Sequence, residues 1–554
     1  ATTLIMKNFP VKNWAKKLLL PTIIGCTGLL TSASAVDPFE TSKQLEVFTA
    51  VLREVQNVYV DPVSAEQAVG SAIEGMLEEL DPYTVYYPED QIEDVRLLQT
   101  GEYGGIGCVI QKIDAEVLIS DIHPGGPADK AGLLVGDVLS SVDGKPLEGL
   151  RVNEVSTLLK GTPGTEVKIS AKRFNAPSLN FAFERENITK DAVPFYGMRE
   201  DGVAYIYLES FTEQAGAQVK KAALALKKQN PKALLLDLRG NGGGLLMEAV
   251  KIVSLFVSSN DTLVSTRGRG GVVQDVYRTI GQPILPEIPL AVLTDGSSAS
   301  ASEIVAGALQ DLDRAVILGE PSFGKGLVQQ IHPLPFGAQM KVTVAKYYTP
   351  SGRCIQKVAY DRDAKGKRIK KSDLRTFSTK NGRIVVDGNG IAPDSLLVND
   401  YYPEFVAALS AKGLDLKFAA HTMGEIPADI TVGDYEINEA IWTDFVDFLD
   451  NEEFTYESVG ELRLKDLQES ASDMDYLDAK DLNQILDDIK ARKDHVLESE
   501  KKAISEYLSD YLIQRKYSMP GALERGLQKD EVIARAAEIV LNPQTLSELL
   551  SVTL

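Results

Sequence analysis

Hydrophobic positions fall into different rhythms along this chain, and the rhythm changes at definable points. Leu45, Phe48, Leu52, Val55 and Tyr59 recur three and four apart, which places them on one side of a helix, and residues 65–80 continue as a second amphipathic helix. Asp81-Pro82 stops it, and Tyr83 to Pro88 reads as an aromatic loop. Residues 36–98 are therefore expected to form a small N-terminal helical segment. From Gly101 the pattern shortens to strands separated by Gly-rich turns, with Val117-Leu-Ile119, Gly136 to Val142 ahead of Asp143-Gly144, and an alternating strand over 165–173. Val152, Val155, Leu158 and Leu159 mark one face of a helix inside this β-rich unit of residues 99–185.

Residues 186–400 alternate buried-type strands with helices. Strands are expected at 203–207, 233–237, 290–294 and 315–318, with helices at 212–229, 245–257 and 302–310. That order predicts a mixed α/β core around a largely parallel sheet. Residues 355–390 read as a long hairpin excursion, made locally basic by Lys365, Lys367, Arg368, Lys370 and Lys371 and expected to be a solvated loop. Beyond 401 the stripes are helical again: Trp442, Phe445, Phe448 and Leu449, then Leu482, Ile485, Leu486 and Ile489, then Ile504, Leu508 and Leu512. The fold class is multidomain, mixing α+β and α/β: an α/β core with an inserted β-rich unit, an N-terminal helical segment and a C-terminal α-helical region, 401–554.

Composition narrows the chemistry. Lys+Arg number 58 against Asp+Glu 79, a net charge of −21, so no broad basic face and no nucleic-acid partner are expected. The acid is unevenly spread, with 21 Asp and Glu against 6 Lys and Arg in residues 431–500. Four His, scattered at 123, 332, 421 and 495, and three Cys leave little material for a metal site, a His-based centre or a disulfide scaffold, so no metal or cofactor is expected. At the N-terminus Lys7, Lys12, Lys16 and Lys17 precede an apolar run, Leu18 to Leu30, and a small-residue stretch ending at Ala35. This reads as a secretory signal, residues 1–35. Ile23-Ile-Gly-Cys26 also resembles a bacterial lipoprotein box, which would place a lipid anchor on Cys26.

Three segments carry candidate chemistry. Ser297-Ser-Ala-Ser-Ala-Ser302-Glu303 lies between a buried strand and a helix, where a serine can act as nucleophile or merely cap the helix. Phe323-Gly-Lys325-Gly-Leu-Val-Gln329 holds a Lys between glycines, where desolvation would lower its pKa and let it take a proton from a hydroxyl. Gln329, four residues on, falls on the same face in strand or helix and could orient the amine. Leu238-Arg-Gly-Asn-Gly-Gly-Gly244 outlines a phosphate loop but lacks both G-x-G-x-x-G and G-K-[ST] spacing; its amides suit an oxyanion hole better. Together they point to acyl transfer by a Ser–Lys pair.

These residues resemble the carboxy-terminal processing (tail-specific) proteases. Ser300 to Glu303, Asp311, Gly324-Lys325-Gly326 and Gln329 match in order and spacing, as do Leu80-Asp-Pro-Tyr83, Gly104-Gly-Ile-Gly107, the Asp237-Leu-Arg-Gly-Asn241 run and Tyr348-Thr-Pro-Ser-Gly-Arg353. The resemblance covers about residues 40–400 and implies an α/β serine-protease core, 186–400, with an embedded PDZ domain, 99–185. It implies Ser300 as nucleophile, Lys325 as general base, Gln329 as its orienting partner, and an oxyanion hole from Ala301 with Gly243 or Gly244. Asp311 is expected to support the site. The PDZ domain would hold a terminal carboxylate at Gly105-Ile106-Gly107-Cys108, with Val152, Val155 and Leu159 lining a side-chain pocket. The implied protein is an exported endopeptidase of the periplasm or bacterial envelope that cleaves proteins with apolar C-termini; the alternative is a tail-binding scaffold without proteolysis. Homo-oligomerisation is expected, if anywhere, through the C-terminal helices. Two departures stand out: Gly390-Ile-Ala-Pro-Asp394 arrives only after the basic excursion, and 400–554 lies outside the resemblance.

Overall fold

The computed structural model describes residues 37–173, 178–258, 260–360, 374–399, 402–427, 430–471 and 479–551. The expected signal and Cys26, and the basic stretch 361–373, lie outside them. The described residues up to Ile73 form one unit and those from Glu74 a second. In the first, Asp37 caps the helix Pro38–Val58 by accepting the Phe39 N–H, with Pro38 in its first turn. No residue of that helix is buried.

The second unit is built on a six-stranded sheet. Its order is Phe195–Met198, Val203–Tyr207, Ala233–Asp237, Leu290–Thr294, Val316–Gly319 and Ser395–Leu396. The first pair is antiparallel and every other pair parallel. Alternate residues feed opposite faces. Leu234 and Leu236 pack with the helices Ala215–Lys227, Leu246–Val253 and Ala301–Asp311, whereas Ala233 and Leu235 pack with Val532, Ile533, Ala536 and Val540.

That second layer gives part of the C-terminal α-helical region 401–554 a place in the core. A parallel sheet is apolar on both faces and needs helices on both. The described residues of 186–400 supply three α-helices, all on one face, and the helices Glu531–Leu541 and Pro543–Leu550 cover the other. Two of the remaining C-terminal stripes are consumed internally, whereas Ile485 of the stripe Leu482 to Ile489 is exposed. Trp442, Phe445, Ile504 and Leu508 share a core with Phe405 and Phe418, while Leu512 and Leu416 pack on Ile113 and Leu118 of the β-rich unit.

The β-rich unit is an antiparallel sheet ordered Cys108–Ile113, Glu116–Ile122, Val138–Val142, Glu166–Lys172, Leu179–Glu184, with the helix Val152–Leu159 packed across it. Strand Cys108–Ile113 ends that order, so it is an edge. Glu102–Gly105 pairs with Glu186–Thr189 and closes the neck of the unit.

A second, five-stranded antiparallel sheet was not foreseen. Gln339–Tyr348 is central to it, paired with Leu327–Pro333, Thr262–Arg267 and Val85–Tyr87. The aromatic loop is therefore partly a strand. Among its described residues the excursion holds a short hairpin, Thr376–Ser378 with Ile384–Val386. The delayed Gly390–Asp394 segment returns to the core: the Ile391 carbonyl accepts the Ser322 N–H, and the Asp394 carboxylate accepts the Ile317 N–H at 2.7 Å. No helix among the described residues is long and apolar enough to cross a membrane.

Candidate active site

The three candidate segments leave the C-terminal ends of three adjacent parallel strands, where α/β sheets place their sites. Residues 238–244 follow Ala233–Asp237, 295–300 follow Leu290–Thr294, and 320–326 follow Val316–Gly319. Neighbouring strands thus bring together residues that lie some way apart in sequence.

Ser300 sits at a sharp turn with φ 57° and ψ −110°, a conformation a non-glycine residue adopts only under restraint. The restraints are visible. The Tyr347 hydroxyl donates to the Ser300 carbonyl at 3.0 Å, and the Ser300 N–H donates to Glu303 at 2.8 Å. The Asn241 carbonyl accepts the Ala299 N–H and, at 2.9 Å, the Ser302 hydroxyl. A side chain on Gly243 would stand 2.8 Å from Ser300 Cβ and 2.9 Å from the Ala301 nitrogen, so only glycine fits there. The Gly243 N–H itself donates to Asn241 Oδ1 at 2.8 Å. Among the described residues, the N–H groups of Ala301 and Gly244 have no acceptor.

Glu303 ties this turn to the lysine segment. Its carboxylate accepts the Ser322 hydroxyl (2.6 Å) and the Gly324 N–H (2.7 Å). The Ser300 and Lys325 N–H groups both reach the same oxygen, Oε2, at 2.8 Å. The serine and lysine backbones are therefore held within twice that distance of each other. Burial raises the Glu303 pKa even against these four donors. Burial also lowers the Lys325 pKa to about 8, helped by the nearby charge of Lys341 and opposed by Asp81 and Glu303. The Lys325 Nζ lies 4.4 Å from the centre of the Tyr83 ring. Among the described hydrogen bonds none joins Ser300 Oγ to Lys325 Nζ, and such bonds commonly close only on substrate.

Two expected partners face elsewhere. Gln329 donates its amide to Thr343 Oγ1 at 3.3 Å, across the hairpin, and among the described hydrogen bonds none joins it to Lys325. A bulge in the partner strand, where Val328 pairs with Ala345 and Gln329 with Thr343, sets Gln329 opposite Thr343. Asp311 is buried at the far end of the helix from Ser300, paired with Arg353 at 2.8 Å and accepting the Ser351 N–H. It secures the Tyr348–Arg353 segment.

In the β-rich unit, Gly105, Ile106 and Gly107 are buried, and the Ile106 and Gly107 carbonyls accept the Ala128 and His123 N–H groups. Gly107 has φ +74°, which glycine adopts freely. Edge strand Cys108–Ile113 runs from this loop, with Val109 exposed on it. Val152 is exposed at the start of the helix, but Val155 and Leu159 are in the core of the unit. Those two are not free lining: one helical stripe serves both core and groove, and only its first turn reaches the rim.

Sequence reasoning missed Glu303 and Tyr83 as site residues. Both stood in quoted motifs, yet nothing local shows which donors a carboxylate collects or what a ring covers.

Residues 202–365 match the model of peptidase family S41, residues 118–173 that of the PDZ domain, and residues 405–540 that of the C-terminal helical domain of PDZ-proteases. The chain is 37% identical over 330 residues to a carboxy-terminal-processing protease of Bartonella bacilliformis, covering 58% of this chain and 75% of the relative. The chain belongs to the carboxy-terminal processing proteases. It is 32% identical to the chloroplastic C-terminal processing peptidase of Tetradesmus obliquus, over 58% of this chain and 77% of that one. A solved photosystem II D1 C-terminal processing protease is 28% identical, with a TM-score of 0.38, covering 68% of this chain and 97% of that chain. As a member of this family the protein is a serine-type peptidase, with an S41 core, a PDZ domain and a C-terminal helical domain.

Proposed function

We propose that this protein is an exported endopeptidase that captures apolar C-terminal tails on its PDZ domain and cleaves the captured protein with a Ser300–Lys325 dyad. The observation that carries the dyad is the shared Glu303 oxygen, which holds both backbones beside a half-buried, weakly basic amine. Neutral Lys325 takes the proton from Ser300 Oγ as it attacks the scissile carbonyl. The free N–H groups of Ala301 and Gly244 stabilise the oxyanion, while Gly243 serves by its close fit. The protonated lysine then returns its proton to the leaving amine, and water releases the acyl group. The tail joins the edge strand Cys108–Ile113 as an added strand, its carboxylate at Gly105–Cys108 and an apolar side chain against Val152. Export rests on the leader read in residues 1–35.

The test is cleavage of a protein with an apolar tail, followed by mass spectrometry. Ser300→Ala and Lys325→Ala should each abolish cleavage and leave tail binding intact. Cleavage at the wild-type rate by either variant rejects the dyad. Binding without cleavage by the wild type would favour the scaffold reading.

A further inference from the structure

We propose that Tyr83 is a positioning residue for Lys325, its ring forming a wall that keeps water off the amine on the side away from the substrate. The proposal rests on Lys325 being the base. Its starting observation is geometric: Nζ stands 4.4 Å from the ring centre, well inside the ~6 Å reach of a cation over an aromatic face. Among the described residues the Lys325 amine has no hydrogen bond and no ion pair, so this ring is its contact.

The ring is held by structure remote from Lys325 in sequence. Asp81 Oδ1 accepts the N–H groups of Tyr83 (2.9 Å) and Thr84 (3.0 Å), and Oδ2 accepts the Thr84 hydroxyl (3.1 Å). Thr84 Oγ1 in turn accepts the Thr343 N–H at 3.2 Å, and Val85–Tyr87 pairs with the strand that carries Thr343. Gln329 reaches the Thr343 hydroxyl and so braces this turn. Tyr360 meets Tyr83 edge-on, with ring centres 6.3 Å apart. Burial first, then Tyr360, pushes the Tyr83 hydroxyl up to about 12, so it adds no negative charge beside the amine.

Two effects of the ring oppose each other. Its face attracts an ammonium, which favours the charged form. Its body displaces water, which favours the neutral form. The charges facing Lys325 are Asp81 from the turn, Glu303 from the helix and Lys341 from the central strand. The two acids favour the ammonium and Lys341 opposes it. Desolvation outweighs all three and sets the direction. Taking the ring away therefore admits water and returns the amine towards ordinary lysine basicity.

The experiment is kcat/KM against pH for the full chain on a peptide with an apolar C-terminus. Tyr83→Phe keeps the ring and should reproduce the wild-type profile. Tyr83→Ala should move the acid limb about one pH unit towards alkaline, a roughly tenfold loss at pH 7 that shrinks to about twofold by pH 9. Tyr83→Leu keeps an apolar cover without a π face, and its limb should stay at or slightly below the wild-type position. If Tyr83→Ala does not fold, Tyr83→Gln replaces it with the same expected shift. A loss equal at every pH overturns the proposal, as does an alkaline shift in Tyr83→Leu as large as in the opened variant. Lys325→Ala, run in parallel, separates the two ideas. Its activity at the wild-type level removes the base itself, whereas a dead Lys325→Ala beside an unmoved Tyr83→Ala limb removes only the wall.

Discussion

At the first turn of the helix Ala301–Asp311, the Glu303 carboxylate receives three backbone N–H groups and one hydroxyl, and no cation among the described residues. At the last turn the Asp311 carboxylate receives the Arg353 guanidinium and one N–H. Both acids are buried on one helix. Glu303 is satisfied by neutral donors, so its charge stays felt at Lys325, while two segments converge on it. The Asp311 charge is cancelled where it stands, and what remains is a mechanical tie to the segment 348–353. A buried carboxylate is thus part of the chemistry or part of the frame according to what meets it, not according to residue type.

The contrast can be broken most directly at Glu303. Glu303→Gln should lower kcat/KM about a hundredfold, the scale of losing one pre-organised group in a site. The acid limb of what remains should move to lower pH, because a charge favouring the ammonium is gone. A loss under about threefold would place Glu303 with the frame. Asp311→Asn should do the reverse. It strands a buried guanidinium and should cost about 3–5 kcal/mol of stability, read by urea unfolding, with kcat/KM of the folded protein changed less than about threefold. Asp311→Asn with Arg353→Met should recover much of that stability. A large fall in turnover in the folded single variant would instead bring Asp311 into the chemistry.

In the unmutated protein, kcat/KM should fall about tenfold per pH unit below the Lys325 pKa of about 8 and level off above it. The sign follows from the role: the neutral amine is the active form, and acid removes it. A flat rate down to pH 5 would end the case for a lysine base. The smallest effect is expected at Asp530. It joins Arg239 at 2.9 Å and caps the helix Glu531–Leu541. Asp530→Asn keeps the cap and loses the ion pair, which should cost no more than about 1 kcal/mol, because Asp237 still holds Arg239.

Much of this was legible in the chain. The strands around Ala233–Asp237 and Leu290–Thr294 show as short apolar runs because every residue in them is buried. Ser300 and Lys325 stand out because small residues surround them at strand ends. The bond from Gln329 to Thr343 was not legible because it depends on strand pairing across the hairpin, and periodicity reports no pairing. The second antiparallel sheet was invisible because Val85–Tyr87 and its partner strand are far apart along the chain. What 401–554 covers was not legible for a related reason: acidic exposed faces dominated the composition, while the apolar faces gave no sign of what they pack on.

The sequence by itself determined the strands and helices of the parallel core, which loops carry the serine, the lysine and the glycines, and which family they belong to. Those properties depend on local spacing, and local spacing is written in the chain. The tertiary structure alone decided that the last helices complete the sheet, that Glu303 gathers the serine and lysine backbones, and that Tyr83 covers the amine. Each depends on contact between segments with no local signal of one another. Burial and hydrogen bonding act through space, and only the folded chain sets those distances.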